Sequence, residues 1–262
     1  MNKLVLVSGA GRGLGASIAE SFVNSGYKVA INYFNSAKEA EDLSRKLGDS
    51  VQAFKADIRD ENEISNMYKE INSHFSSYPD ILVNNAMANY VFNGDLRKKA
   101  EDISWKEIQD HLDVTIKGSL NLIQGLTPKM KDKKFGRIIN ITSAMVKSPH
   151  PLMGLSTSAR AGLTAFSKGI SKQVAVDNVT INNLLPERFD TDRQNFMTKM
   201  LMETKKISRE EARAEITSTI AAKRFGDPKE FGDTCAFLCS QQASFISGQN
   251  IQLDGGSYEG LI

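Results

Sequence analysis

Short apolar, β-branched runs alternate along this chain with longer stretches in which apolar residues recur every third or fourth position. The runs at residues 4–7, 29–33, 51–55, 81–83, 137–142, 180–185 and 250–253 predict seven strands. Between the first two, Leu14, Ile18 and Phe22 repeat every fourth residue and Gly26 supplies a stop, which predicts a helix over 14–24. Strand, helix, strand at this spacing predicts a parallel sheet with helices on both faces, an α/β architecture. No Gly/Ser-rich or Pro-rich linker, low-complexity tract or internal repeat interrupts the rhythm, so a single domain over residues 1–262 is expected.

Residues 188–226 break the alternation, being polar and helical without a strand pattern. Ser208 followed by Glu211 is a capping box that starts a second helix after one over 193–205. Phe196, Met197, Met200, Leu201 and Met202 give the first of these helices an adaptable apolar side. An insertion late in an α/β chain reads as a helical substrate lid over the ligand crevice. The alternative is a helical pair packed on the surface or on a partner.

Composition narrows the class. A chain of 262 residues buries about 70–75% of its unfolded surface and needs no disulfide or metal to hold together. Hydrophobic residues at 40% and charged residues at 24% are those of an ordinary globular protein. The charge, 33 Lys+Arg against 31 Asp+Glu, is +2 and excludes an overall polycation, so no nucleic-acid partner is expected. Apolar runs of four or five residues fall far below the ~18 that span a bilayer, so no membrane partner is expected. Met1-Asn2-Lys3 leads straight into the first apolar run without a leader pattern, and the expectation is a cytoplasmic protein. Cys235 and Cys239, four apart in a helical pattern, read as small apolar residues on one face in preference to a metal or disulfide pair. No metal site is expected.

The candidate chemistry begins at the first turn. Ser8-Gly9-Ala10-Gly11-Arg12-Gly13-Leu14-Gly15 follows a strand and opens into an amphipathic helix. Glycines there permit a tight turn and let backbone approach a pyrophosphate seated on the helix N-terminus. In this context the turn predicts dinucleotide binding and makes the sheet Rossmann-type and doubly wound; a purely structural turn is the alternative. An acidic residue closing the second strand would accept the ribose hydroxyls of NAD(H) and repel a 2′-phosphate. Here the segment reads Asn32-Tyr33-Phe34-Asn35-Ser36, with no carboxylate until Glu39. Arg12, Asn35 and Ser36 offer donors and Lys38 lies nearby, so NADP(H) is expected in preference to NAD(H). A solvated loop charge is the plainer reading of Arg12.

The G-x-x-x-G-x-G spacing of Gly9, Gly13 and Gly15, with this strand pattern and length, resembles the short-chain dehydrogenase/reductase family. The resemblance covers the whole chain. Asp57, in Ala56-Asp57-Ile58, matches the family's aspartate near the adenine ring, Asn84-Asn85-Ala86 its NNAG motif, and Ser143 its catalytic serine. Gly248-Gln249 and Asp254-Gly255-Gly256 match its C-terminal signature, and the wording is most similar to the 3-oxoacyl-acyl carrier protein reductase branch. The resemblance implies cofactor contacts at Ser8, Gly9, Arg12, Gly13, Leu14, Gly15, Asn35, Ser36, Asp57, Ile58, Asn84, Ala86, Arg160 and Pro186. It also implies a small-molecule or acyl-thioester substrate. A homo-dimer or homo-tetramer would pair the helices over 105–127 and 156–175 through positions such as Leu112, Ile116, Leu120, Ala161 and Phe166.

The family's catalytic group adds to the serine a tyrosine, a lysine four residues later and a helper asparagine. Anchored on Ala161-Gly162-Leu163, the tyrosine position holds Ser156, 13 residues after Ser143, and the lysine position holds Arg160. Thr115 stands for the asparagine, Met87 ends the NNAG motif, and Glu187 follows Pro186 where the family has glycine. A phenol titrates near about 10 and can be drawn towards neutrality, whereas an aliphatic hydroxyl cannot exchange a proton comparably. An arginine binds anions but does not act as a base. Ser143, Ser156 and Arg160 therefore form a cationic hydrogen-bonding site without an evident acid, and Tyr90 and His150 are the nearby candidates for that role. The leading expectation is an NADP(H)-dependent carbonyl or 3-oxoacyl reductase with a non-standard proton donor. The alternative is a catalytically inactive dinucleotide sensor. Halohydrin dehalogenases, which also carry arginine for the lysine, keep the tyrosine and lose the glycine turn, so they fit less well.

Overall fold

In the computed structural model, which describes residues 3–87 and 98–261, the predicted strands assemble into one sheet. These are β1 (Leu4–Ser8), β2 (Lys28–Tyr33), β3 (Val51–Lys55), β4 (Ile81–Asn84), β5 (Gly136–Ile141), β6 (Val179–Pro186) and β7 (Asn250–Leu253). All neighbouring pairs are parallel, in the order β3-β2-β1-β4-β5-β6-β7. The chain winds one way from β1 to β3 and the other way from β4 to β7. A crevice opens beyond the carboxyl ends of β1 and β4, where the direction changes.

The strands are rich in aliphatic and β-branched residues because both faces are covered. Val5, Val7, Ile31, Val83 and Ile139 pack with Phe22 and Phe231 on one side. Leu4, Leu6, Leu82 and Ile138 pack with Ile64, Met67, Leu122 and Met130 on the other. At roughly 1.5–3 kcal/mol per fully buried large apolar side chain, these two layers are the main stabilising term. The first layer is covered by α1 (Gly13–Asn24), α2 (Ala37–Leu47) and α9 (Pro228–Leu238). The second lies under α3 (Glu61–Phe75), α5 (Ser119–Asp132) and α6 (Gly154–Val174). Cys235 and Cys239 are buried free thiols in the first layer, and burial pushes the Cys235 thiol up.

The helix predicted over 105–127 arrives in pieces. α4 (Trp105–Leu112) continues through a wider π turn, Asp113–Gly118, into α5. The widening fits its neighbours: a Cβ on Gly118 would lie 2.6 Å from Ile58, and one on Gly162 of α6 would lie 2.7 Å from Ile116. Ile116 therefore packs within its own chain, as does Leu120, while Phe166 stays half exposed. The segment 188–226 holds α7 (Asp192–Lys205) and α8 (Arg209–Thr217), the latter started by the Ser208–Glu211 capping box. A single bridging pair, Phe189 with Gly226, closes its base: Asp190 N–H donates to Gly226 C=O and Gly226 N–H to Arg188 C=O, both at 2.9 Å. Among the described residues, no helix is long and apolar enough to cross a membrane.

A row of asparagines crosses the buried sheet. Asn84, Asn140, Asn183 and Asn250 occupy paired positions on β4 to β7. Asn84 Nδ2 donates to Asn140 Oδ1 at 2.7 Å, and Asn140 Nδ2 to Ser167 Oγ at 2.8 Å and Asn183 Oδ1 at 3.1 Å. Asn183 Nδ2 then donates to Asn250 Oδ1 at 2.8 Å. A slipped strand would leave these amides without partners in an apolar layer, so the row specifies register. Replacing Asn140 with Ala should lower the unfolding free energy by about 2–4 kcal/mol, because it orphans the buried amides of Asn84 and Asn183 on the two neighbouring strands. Asn250→Ala, at the exposed end of the row, should cost less than about 1 kcal/mol. Urea titrations followed by circular dichroism measure both, and equal costs would refute the register role.

Candidate active site

The site is built on one short contact network. Ser8 Oγ donates to Val83 C=O at 3.3 Å and accepts the N–H groups of Asn85 and Ala86, each at 3.0 Å. Asn85 Nδ2 returns two bonds, to Ser8 C=O at 3.0 Å and Gly9 C=O at 2.9 Å. Gly9 N–H donates to Asn32 C=O, so the turns after β1 and β4 are tied to the end of β2. Side chains do not fit between them. A Cβ on Gly9 would stand 2.9 Å from Ala86 Cα, and one on Gly15 would stand 2.5 Å from Asn85 Nδ2.

α1 opens from this network without a capping side chain and without an acidic residue in its first turn. In α3, α4, α8 and α9 an Asp or Ser side chain caps the first turn. The positive end of the α1 dipole, with first-turn N–H groups left uncapped, faces the cleft instead and suits a phosphate group. The narrow glycine cradle and this uncapped terminus fit the pyrophosphate of a nicotinamide dinucleotide.

The cleft itself has a volume of about 1240 Å3 and runs across the carboxyl ends of the sheet. Of the sequence-predicted residues, Gly9, Arg12, Gly13, Leu14 and Gly15 line its phosphate side, with Asn35, Ser36, Asp57 and Ile58 beyond them. Ala86, Ser143, Ser156, Arg160 and Pro186 line the other end. Ser8 and Asn84 do not line it. Both are buried beneath its floor, where Ser8 ties the turns and Asn84 begins the asparagine row. Lys38 and Thr115 are also off the wall, and Thr115 is buried in the π turn.

At the outer end, Arg59 grips Asp57 with two prongs, Nε to Oδ1 at 2.9 Å and Nη2 to Oδ2 at 2.6 Å. These bonds hold the Asp57 carboxyl below the usual range. The same guanidinium lies 5.7 Å from the ring of Phe34, which is 43% exposed on the cleft wall. Glu39 also lines this end. Sequence reasoning passed over Arg59 and Phe34, although Arg59 stands only two residues from Asp57 and a local charge-pair search would have found it.

At the inner end, Ser143 Oγ accepts the Met145 N–H at 3.2 Å. Ser156 and Arg160 stand one turn apart on α6, both buried. Arg160 Nη1 donates to Ser156 C=O at 3.3 Å, and Nη2 lies 3.2 Å from Met87 Sδ. His150 Nδ1 accepts the Leu152 N–H at 3.2 Å, which leaves Nε2 to carry the proton of the neutral ring. Tyr90 lies outside the described residues. Phe196, Met197 and Met200 of α7 reach the cleft, joined by Met145 and Met153; Leu201 and Met202 do not. From the far end of the chain, Tyr258 also lines the wall. No local pattern in the sequence marks it as a site residue.

A family profile described as enoyl-(acyl carrier protein) reductase matches residues 9–258. The chain belongs to the short-chain dehydrogenase/reductase family. Two of its relatives are 3-oxoacyl-[acyl-carrier-protein] reductases. That of Staphylococcus epidermidis is 32% identical over 261 residues, covering 98% of this chain and 100% of the relative. That of Haemophilus influenzae is 32% identical over 256 residues, covering 98% of each. The crystal structure of YwfH, an NADPH-dependent reductase involved in bacilysin biosynthesis, superposes with a TM-score of 0.88 at 27% identity over the full length of both chains. L-Sorbose reductase from Gluconobacter frateurii, solved with NADPH and L-sorbose, shares the fold with a TM-score of 0.90 at 23% identity, covering 99% of this chain and 98% of that one. This short-chain dehydrogenase/reductase thus has a seven-stranded parallel sheet with a glycine turn after β1, and carries Ser156 and Arg160 on α6.

The Asp57–Arg59 pair makes a pH prediction. A lowered folded-state value means that ionised Asp57 favours the fold above the ordinary carboxylate range, a contribution lost as pH falls through the lowered value. Carboxyl 13C NMR should find Asp57 titrating below its unfolded range, and Arg59→Gln should move the midpoint upward. An unmoved midpoint would show that Arg59 does not set it.

Proposed function

We propose that this chain is an NADP(H)-dependent reductase of a carbonyl group, with 3-oxoacyl thioesters or a related acyl compound as the substrate class. The observation that carries the reading is the continuity of the cleft: the uncapped α1 terminus and glycine cradle lead without interruption to Ser143, Ser156 and Arg160. The names of the 3-oxoacyl-[acyl-carrier-protein] reductase relatives and of the NADPH-dependent YwfH support the same class.

When bound, the dinucleotide supplies the hydride. The glycine turn binds its pyrophosphate, and Arg12, Asn35 and Ser36 offer donors to a 2′-phosphate. Arg59 neutralises Asp57 beside them, so the carboxylate repels that phosphate less. Ser143 hydrogen-bonds the substrate oxygen and polarises the carbonyl. Arg160, a buried permanent cation, holds the ribose and the electron-rich end of the site while remaining unable to act as a base. Residues 188–226 act as a lid: their neck at Phe189 and Gly226 is narrow, and α7 presents Phe196, Met197 and Met200, which can repack around an acyl chain. The working unit is a homo-dimer or homo-tetramer.

Calorimetry should show NADPH binding more tightly than NADH. Arg12→Ala should weaken NADPH about tenfold, close to 1.4 kcal/mol, and leave NADH nearly unchanged. NADPH oxidation followed by absorbance over a panel of carbonyl compounds, 3-oxoacyl thioesters included, tests the reaction. Binding without turnover on the whole panel would favour a dinucleotide sensor, for which Ser156 in place of the phenol is the specific observation.

A further inference from the structure

The positions on α6 hold no phenol, yet the cleft contains one. We infer that Tyr258, delivered by the C-terminal segment, is the acid that protonates the substrate oxygen, and that Lys147 positions it. The inference rests on the reductase reading above. Tyr258 and Ser143 line the same cleft. Lys147 links the two segments: Ser143 caps the turn Ala144–Val146, Lys147 N–H closes that turn on Ala144 C=O at 3.0 Å, and Lys147 Nζ lies 5.5 Å from the Tyr258 ring centroid. A cation facing an aromatic ring at this range is attracted by the ring quadrupole, which favours one placement of the ring.

The segment that carries Tyr258 is itself held. Asp254 accepts the N–H groups of Gly256 at 3.0 Å and Tyr258 at 2.9 Å, as well as Gln252 Nε2 at 2.8 Å, and its C=O accepts Ser257 Oγ at 2.8 Å. Gly255 and Gly256 have φ of +63° and +83°, a turn that side chains oppose. A Cβ on Gly260 would lie 2.4 Å from Tyr258 Oη, so the chain doubles back closely over the hydroxyl. Among the described residues, the charged groups near the ring include Lys147 against its face, Asp254 at its backbone N–H and Glu259 next in sequence, with His150, Arg160, Glu187 and Arg188 on the same cleft. His150 is exposed and turns Nδ1 to the Leu152 N–H, whereas the half-buried Tyr258 sits in a fixed turn.

The proton balance is simple. The phenol O–H bond breaks, the alcohol O–H bond forms at the reduced carbonyl, and solvent returns a proton to the phenolate.

The test uses the full chain and the carbonyl compound that wild type reduces fastest. Tyr258→Phe should lower kcat about 100-fold or more, the range of a lost general acid, with the NADPH Kd from fluorescence titration within twofold and the melting temperature unchanged. Lys147→Ala should lower kcat with little change in KM, and Lys147→Arg should recover most of it. A Tyr258→Phe enzyme within threefold of wild-type kcat overturns the assignment. So does a Lys147→Ala enzyme that loses only KM. Wild type that binds NADPH and reduces nothing removes the reductase reading itself, a result read before any variant is made.

Discussion

The hydroxyl of Ser8 and the amide of Asn85 hold the crevice together. Ser8 is the last residue of β1 and Asn85 follows the last residue of β4, the two strands between which the chain reverses its winding direction. Three bonds at Ser8 Oγ and two from Asn85 Nδ2 tie the carboxyl ends of these two strands together. The tie is tight enough that Gly9 and Gly15 have no room for a Cβ. The same absence of side chains bares the α1 terminus to a ligand. One packing constraint therefore both ties the ends of β1 and β4 together and shapes the anion cradle.

Charge is arranged along the cleft in a way that the overall balance of +2 conceals. At the outer end the Asp57 carboxylate is met by Arg59, which also lies over Phe34, so a flat apolar surface and a compensated ion pair sit side by side. At the inner end the buried cation Arg160 stands beside hydroxyls. A permanent cation in a low-dielectric pocket favours electron-rich groups strongly but exchanges no proton with them. In the reaction proposed above, binding and proton delivery fall to different side chains, Arg160 and Tyr258.

The inner end is assembled from segments far apart in the chain. Ser143 and Arg160 come from the β5–α6 region, Phe196 and Met197 from the insertion, and Tyr258 from beyond β7. Each is placed by a local device: a 3₁₀ turn capped by Ser143, the Phe189–Gly226 neck, and the turn wrapped around Asp254. Such a wall changes composition when any one segment changes, while the sheet and its asparagine row stay as they are.

What the sequence determined by itself was the sheet and the cradle. All seven strands appear within one or two residues of the predicted runs, because strands covered on both faces are rich in aliphatic and β-branched residues and are bounded by turns. The glycine turn was legible for a similar reason, since only glycine tolerates that crowding. The π turn was not, because it answers to Ile58 and α6, residues distant in sequence. Nor was the division between Ser8 and Asn84 beneath the floor and Arg59, Phe34 and Tyr258 on the wall. Local patterns report which way a residue faces within its own element. Which groups share a cleft depends on contacts across tens to hundreds of residues, such as Lys147 against Tyr258, and only the tertiary structure decides those.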